Sequence, residues 1–329
     1  MTASGGPFTI GIVDADQESA STLEEWLRAA GYVPKRVEQA NASLAACLVR
    51  WPTKLALGLP GCPIVLLAER EANLPEDALA GLAEVVISPD RSDIKSLLGW
   101  SAQLTAVLRQ VTTPRADACR VPGPRLIGEE LRRPVPSLIA LGVSTGGPIA
   151  LQELFRSLRG VGLPPMAIVQ HIPTNFLAPM LERLRQDSGA RLEVARDGAV
   201  LQPGTAYFAP GDHHLRLVEE KGVLRAQLSD EPPRRGHRPA AEVLFESCIT
   251  LPRRGVGVLM TGMGRDGAAA LLQLRQRGWA TIGQNEATCA IYGMPRAAKE
   301  LGAIEREVAL ADLGGWLAML CRPRQPQPA

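Results

Sequence analysis

Ser144, His171 and Asp266 are the residues of this sequence whose types and settings could do nucleophilic chemistry together. Ser144 lies in the turn Gly142-Val143-Ser144-Thr145-Gly146-Gly147. The apolar run Leu138-Ile139-Ala140-Leu141 precedes it. From Pro148 onward Ile149, Leu151, Leu154, Phe155 and Leu158 recur at helical spacing. A serine in a strand–turn–helix stands at the carboxyl end of a strand and the positive end of a helix. Open α/β sheets bind ligands there, and the local field favours a developing negative charge. Other strand–turn–helix serine hydrolases place their nucleophile this way, although the G-x-S-x-G spacing is not kept here. A serine still needs a base for its proton, and the base needs an acceptor that fixes its tautomer. His171 follows the run Ala167-Ile168-Val169, and Asp266 follows Val256 to Met260. All three residues sit after a strand and before a helix, so a doubly wound sheet brings them to one edge.

Plainer readings stand beside this one. The Ser144 turn could serve only close packing of helix on strand, and Asp266 could simply cap the helix that starts at Gly267. His171 could be a satisfied histidine at a strand end. His213, His214 and His237 compete for the role of base; the first two open a hairpin and the third lies in a Pro/Arg-rich loop. The glycine-rich turns around Ser144 and Met263 offer backbone N–H groups suited to an oxyanion.

The elements that must position these residues alternate strand and helix. At 329 residues the chain is long enough for two domains of ~150 residues, each with its own core. Phe8 to Val13 reads as a strand ending in Asp14-Ala15-Asp16, Ser19 to Ala30 as a helix, Tyr32 to Val37 as a strand and Ala42 to Trp51 as a helix. Leu55 to Leu57, Ile64 to Leu67 and Val85 to Ile87 read as strands, with helices over Pro75 to Leu82 and Ile94 to Val111. Only Pro60 to Pro63 separates two of these runs, too little for a parallel crossover. Residues 112–136 are a Pro/Arg-rich linker. The expected organisation is therefore a domain over 7–111, the linker, a second α/β domain with a β-hairpin over 137–321, and a disordered tail over 322–329. Both domains are doubly wound, the first flavodoxin-like and the second mostly parallel.

Composition excludes several functions. A net charge of +2 without a basic face, and 4% aromatic residues, argue against nucleic-acid binding. No run of 18 apolar residues suggests a membrane span, and no signal peptide is recognised. Cys47, Cys62, Cys119, Cys248, Cys289 and Cys321 are scattered without a C-x-x-C pair. They read as reduced thiols of a cytoplasmic protein with neither a disulfide framework nor a metal site, and no cofactor is expected.

A resemblance joins these motifs. Gly142-Val143-Ser144-Thr145-Gly146-Gly147-Pro148, Gln170-His171-Ile172-Pro173, His237-Arg238-Pro239, Val243-Leu244-Phe245, Met260-Thr261-Gly262-Met263-Gly264-Arg265-Asp266-Gly267 and Gly293-Met294-Pro295-Arg296 are similar, in order, to the catalytic domain of the chemotaxis protein-glutamate methylesterases, the CheB family. The resemblance implies a cytoplasmic serine hydrolase that demethylates glutamate γ-methyl esters on chemoreceptor cytoplasmic helices and deamidates glutamines there. It implies Ser144 as nucleophile, His171 as general base, Asp266 as its orienting carboxylate and the Met263 N–H as oxyanion donor. Thr145 and Gly146 would line the site, and a chemosensory histidine kinase would be a partner. Ala240-Ala241-Glu242 stands where the family places Ser-Val-Asp.

The resemblance further implies an N-terminal receiver domain phosphorylated on aspartate, yet the chemistry for that is missing. Where an acidic pair is expected after the first strand, Asp14 and Asp16 flank Ala15 as a degenerate acidic pocket. No aspartate ends Leu55 to Pro60, and only Glu69 lies near the end of Ile64 to Ala68. Ala68 stands where a hydroxyl is expected and Ser88 where a lysine is expected. The domain reads as a degenerate receiver that works as a cap or a docking module without a phospho-switch. The alternatives to an esterase are a scaffold with the same fold and a phosphate-holding nucleotide module. The latter lacks both G-K-[ST] and G-x-G-x-x-G.

Overall fold

The computed structural model describes residues 8–38, 40, 42–51, 62–68, 82–88, 94–112 and 134–322. The chain divides into two compact units, Met1–Arg115 and Ala116–Ala329.

The N-terminal unit holds strands β1 (Thr9–Val13), β2 (Val33–Arg36), β3 (Ala46–Arg50), β4 (Ile64–Ala68) and β5 (Leu82–Ile87), with helices α1 (Gln17–Ala29) and α2 (Ile94–Thr112). The strands pair in parallel in the order β2-β1-β3-β4-β5. That is the flavodoxin-like order, as expected of a receiver-like domain. One expected element is overturned. Residues 46–50 form the central strand β3, not part of a helix over Ala42 to Trp51. Ala46, Cys47, Leu48 and Val49 have no exposed surface, because a central parallel strand is covered on both faces. The third strand therefore ends at Arg50, and thirteen residues separate it from β4. The crossover difficulty disappears with this correction. Leu55 to Leu57, Glu69, most of the Pro75 to Leu82 segment, all but the ends of the linker, and residues 323–329 lie outside the described residues.

The second unit is built on seven parallel strands, β6 (Ile139–Val143), β7 (Met166–Gln170), β8 (Arg191–Val194), β9 (Thr205–Phe208), β12 (Val256–Leu259), β13 (Ala280–Gln284) and β14 (Arg306–Val308). Their order is β14-β13-β12-β6-β7-β9-β8. The antiparallel hairpin β10 (His214–Glu220) and β11 (Val223–Ser229) packs beside them. Helices α3 (Gly147–Ser157), α4 (Thr174–Ser188) and α8 (Leu310–Leu320) share one apolar core with the sheet. Helices α5 (Ala241–Ile249), α6 (Ala268–Gln276) and α7 (Met294–Glu300), with the hairpin, share the other. Covering both faces is what makes the strands near-continuous apolar runs. β12, β6 and β7 are adjacent at the middle of the sheet. The carboxyl ends of these three strands lead into Asp266, Ser144 and His171, respectively.

Candidate active site

Ser144 follows β6 directly and is 7% exposed. Its backbone is clamped from three sides. Ser144 N–H donates to Thr261 O at 2.9 Å, while Ser144 O accepts from Gly147 N–H at 2.8 Å and from Gln170 Nε2 at 3.0 Å. Gly146 takes the left-handed φ of 77° that opens α3, and Pro148 occupies the first helical turn, where no N–H is needed. A side chain at Gly147 would collide with the Gln170 carboxamide, so glycine is required for that brace. The loop after β12 closes against the same serine. A Cβ on Gly262 would lie 2.6 Å from Ser144 Cβ. Thr261 Oγ1 ties this loop to the nucleophile turn by donating to Thr145 O at 2.9 Å.

His171 follows β7, and its backbone N–H donates to Val143 O at 3.0 Å, so its turn is pinned beside that of Ser144. Its Nε2 lies 2.8 Å from Asp266 Oδ2, with side-chain exposures of 9% and 1%. Asp266 also accepts from the N–H groups of Ala241 at 2.6 Å and Glu242 at 3.0 Å, the first turn of α5. Burial alone pushes the Asp266 carboxyl up. The His171 hydrogen bond and charge, with the two helix N–H groups, outweigh it and hold the carboxyl below its ordinary value. An ionised carboxylate only accepts, so Nε2 of His171 donates to Asp266, and whenever the ring is neutral Nδ1 holds the lone pair. Nδ1 is buried and has no hydrogen-bond partner among the described residues. His171 thus offers an available lone pair at the sheet edge that holds Ser144, although the two side chains are not hydrogen-bonded to each other.

The backbone N–H groups of Thr145 and Met263 donate to no acceptor among the described residues, which suits them to a developing oxyanion. The Met263 side chain is 45% exposed beside this turn. Gly146 supplies the φ that turns the chain into α3.

The other histidines have different settings. His213 bridges Asp212 at 2.8 Å and Asp230 at 3.0 Å on the surface. His214 is fully buried, accepts from Ala240 N–H at 3.2 Å and reaches Pro232 O at 3.2 Å, so both ring nitrogens are engaged. His237 stacks on His171, with ring centroids 4.0 Å apart and an interplanar angle of 3°.

Sequence reasoning gave no role to Gln170, Thr261 or Glu242. Gln170 Nε2 bonds both Ser144 O and His171 O, joining the two turns. A glutamine between an apolar run and a histidine was the available signal. Glu242 accepts from Gly267 N–H at 3.0 Å while its own N–H serves Asp266, so the start of α5 and the start of α6 cap each other. Burial and the Asp266 charge push the Glu242 carboxyl above its ordinary value.

In the N-terminal unit, Asp14 and Asp16 follow β1 but form no open cation cradle among the described residues. Asp14 Oδ2 lies 2.8 Å from Arg50 Nε, and Oδ1 accepts from Asp16 N–H at 3.1 Å. Asp16 Oδ1 caps α1 by accepting from Glu18 N–H at 3.2 Å. A fixed guanidinium at the end of β3 meets the buried carboxylate, so the described residues do not fit the divalent ion that a receiver pocket holds. Ala68 and Ser88 end β4 and follow β5, where the hydroxyl and the lysine of a receiver are expected.

Among the described residues no helix is long and apolar enough to cross a membrane. Residues 139–317 match the family model for the CheB methylesterase domain. A protein-glutamate methylesterase/protein-glutamine glutaminase of Caulobacter vibrioides is 45% identical over 194 residues, covering 58% of this chain and 56% of that one. One of Photorhabdus laumondii is 34% identical over 257 residues, covering 74% of this chain and 71% of its own. The chain thus spans little more than half the length of the Caulobacter relative. The crystal structure of the Thermotoga maritima CheB methylesterase catalytic domain superposes with a TM-score of 0.54 at 28% identity, over 56% of this chain and 98% of that domain. The strand–turn–helix around Ser144, the paired His171 and Asp266, and these likenesses together establish that the chain belongs to the CheB methylesterase family.

Proposed function

We propose that this protein is a protein-glutamate methylesterase that also deamidates glutamine, acting in the cytoplasm on the helices of methyl-accepting chemoreceptors. The observation that carries the reading is the state of His171. Its Nε2 is committed to buried Asp266, while Nδ1 keeps its lone pair at the edge that presents Ser144. In this reading Nδ1 takes the Ser144 proton as Oγ attacks the ester carbonyl. The oxyanion is received by the N–H groups of Met263 and Thr145, with Gly146 shaping the turn. Collapse breaks the C–O bond, and the imidazolium gives its proton to the departing methoxide, releasing methanol. Water then attacks the acyl-serine with the same base, leaving a glutamate carboxylate and a free Ser144. With a glutamine side chain the first leaving group is ammonia. Asp266 stays ionised throughout and stabilises the imidazolium. The N-terminal unit has no part as a phospho-switch, since Arg50 stands where the phosphoacceptor would end β3.

A serine-directed organophosphonate probe tests the reading. It should leave one covalent adduct mapped to Ser144, lost in Ser144→Ala and slowed in His171→Ala. A protein that never labels, although folded, is a scaffold with the same architecture.

A further inference from the structure

His237 is placed on His171 by a tight turn of its own loop. Its backbone exchanges two hydrogen bonds with Arg234, N–H to O at 2.9 and 3.0 Å, across a two-residue turn. The central residues of that turn, Arg235 and Gly236, have φ of 51° and 84°. A non-glycine residue in the left-handed region costs about 1–2 kcal/mol, and strain of this kind gathers where geometry matters. The turn delivers the imidazole flat against His171, 4.0 Å away and 3° from parallel. Four residues later the same segment enters α5, whose Ala241 and Glu242 N–H groups hold Asp266. One stretch, 234–242, therefore touches both ionisable partners of the proposed triad.

We propose that His237 is a positioning residue, whose ring plate keeps the His171 imidazole in one plane, with Nε2 on Asp266 and Nδ1 available as base. This rests on the esterase reading for its consequence in rate but not for its geometry. The hydrogen bond to Asp266 fixes one ring atom of His171 and leaves rotation about that contact open. A parallel ring at van der Waals distance blocks it, because the imidazole cannot leave its plane without striking the plate. An aromatic face also receives the imidazolium that forms in the reaction, provided the plate is uncharged. The groups facing His237 are His171 from the turn after β7 and Asp266 from the loop after β12. On its own loop Arg234 pairs with Glu246 of α5 at 3.1 Å, and Arg235 and Arg238 are exposed. Burial and the neighbouring His171 charge push the His237 ring below its ordinary value, against the pull of Asp266, which favours the neutral plate.

The test compares the full chain with His237→Phe, which keeps a flat neutral ring, and His237→Ala, which removes it. His237→Leu replaces the alanine variant if that does not fold. Two readouts are taken: the labelling rate with the organophosphonate, and the ring nitrogen shifts of His171 in 15N-histidine-labelled protein. The expected result is a Phe variant within about threefold of the parent, with His171 still protonated at Nε2. The Ala variant should label tenfold or more slowly and show mixed tautomers. An Ala variant with parental labelling and an intact tautomer overturns the proposal. So does a Phe variant as slow as Ala, which would mean that the ring nitrogens and not the face are needed. If no form labels but the Nε2–H tautomer is kept in parent and Phe and lost in Ala, the positioning role stands and the esterase reading falls.

Discussion

Two aspartates in this chain stand near the carboxyl ends of parallel strands, and their fates differ. Asp266 is buried against a histidine and two helix N–H groups, partners that leave a proton acceptor available on the other side of the imidazole. Asp14 is buried against Arg50, a permanent cation with no proton to exchange. Both carboxylates are satisfied, but only the first is satisfied in a way that chemistry can use. A sheet edge at a topological switch point is thus an opportunity that the neighbouring strand either develops or closes. In the C-terminal unit β7 contributes His171. In the N-terminal unit β3 ends in Arg50.

The largest effect that could break this contrast lies at the first site. Ser144→Ala and His171→Ala should each lower the esterase rate by about 10⁴- to 10⁶-fold, with Asp266→Asn somewhat milder, and the double variants should be no worse than the worst single one. Additive losses, measured as kcat/KM, would show that the three do not act as a unit. His214→Gln should retain most activity, since that ring only joins Ala240 to Pro232.

The next effect is one of pH. A base must be neutral, so the rate should fall with one proton as pH drops from about 8 to about 5. Asp266, held below its ordinary value, stays ionised across that window and adds no second step. Its contribution to stability is present above the unfolded carboxylate value of about 3.9 and is lost only as pH falls through the lower folded value. A rate independent of pH from 5 to 8, with chemistry limiting, would contradict a histidine base.

At the second site, small phosphodonors with magnesium should neither attach a phosphoryl group to residues 1–111 nor change the esterase rate. An acid-labile, hydroxylamine-sensitive phosphoryl group there would erase the contrast. Arg50→Ala should destabilise the N-terminal unit by about 1–3 kcal/mol in chemical denaturation, because it strands a buried carboxylate. It should leave organophosphonate labelling of Ser144 unchanged.

The smallest expected effect sharpens the first site alone. Glu242→Gln keeps an acceptor for Gly267 N–H and removes a carboxyl whose ionisation burial and Asp266 oppose, so the melting temperature at pH 8 should hold or rise slightly. Glu242→Ala leaves that N–H unpaired and should cost about 1–3 kcal/mol. Equal melting temperatures for the two variants would show that the mutual cap adds nothing.

How much of this was legible in the sequence follows from what each contact is made of. The turns around Ser144 and His171 carry side-chain and glycine signals, and the alternation of apolar runs and helical periods gave the second unit nearly whole. β14 escaped notice because Arg306-Glu307-Val308 is short, polar and at the sheet edge. The stretch from Ala42 to Trp51 read as a helix because a strand buried on both faces loses its alternation. That misreading hid Arg50 as the residue ending the third strand, and with it the closure of the Asp14 pocket. The bracing of Asp266 by α5 is made of backbone N–H groups, which leave no trace in residue types. The stacking of His237 on His171 depends on a turn whose left-handed φ falls on Arg235, where sequence gives no warning.

The most direct test of the central claim is methanol release from radiomethylated chemoreceptor membranes, with the purified full chain and its Ser144→Ala variant side by side. The account requires release by the parent, near-total loss in the variant, and an organophosphonate-treated parent that behaves like the variant. Release that persists in Ser144→Ala would contradict it.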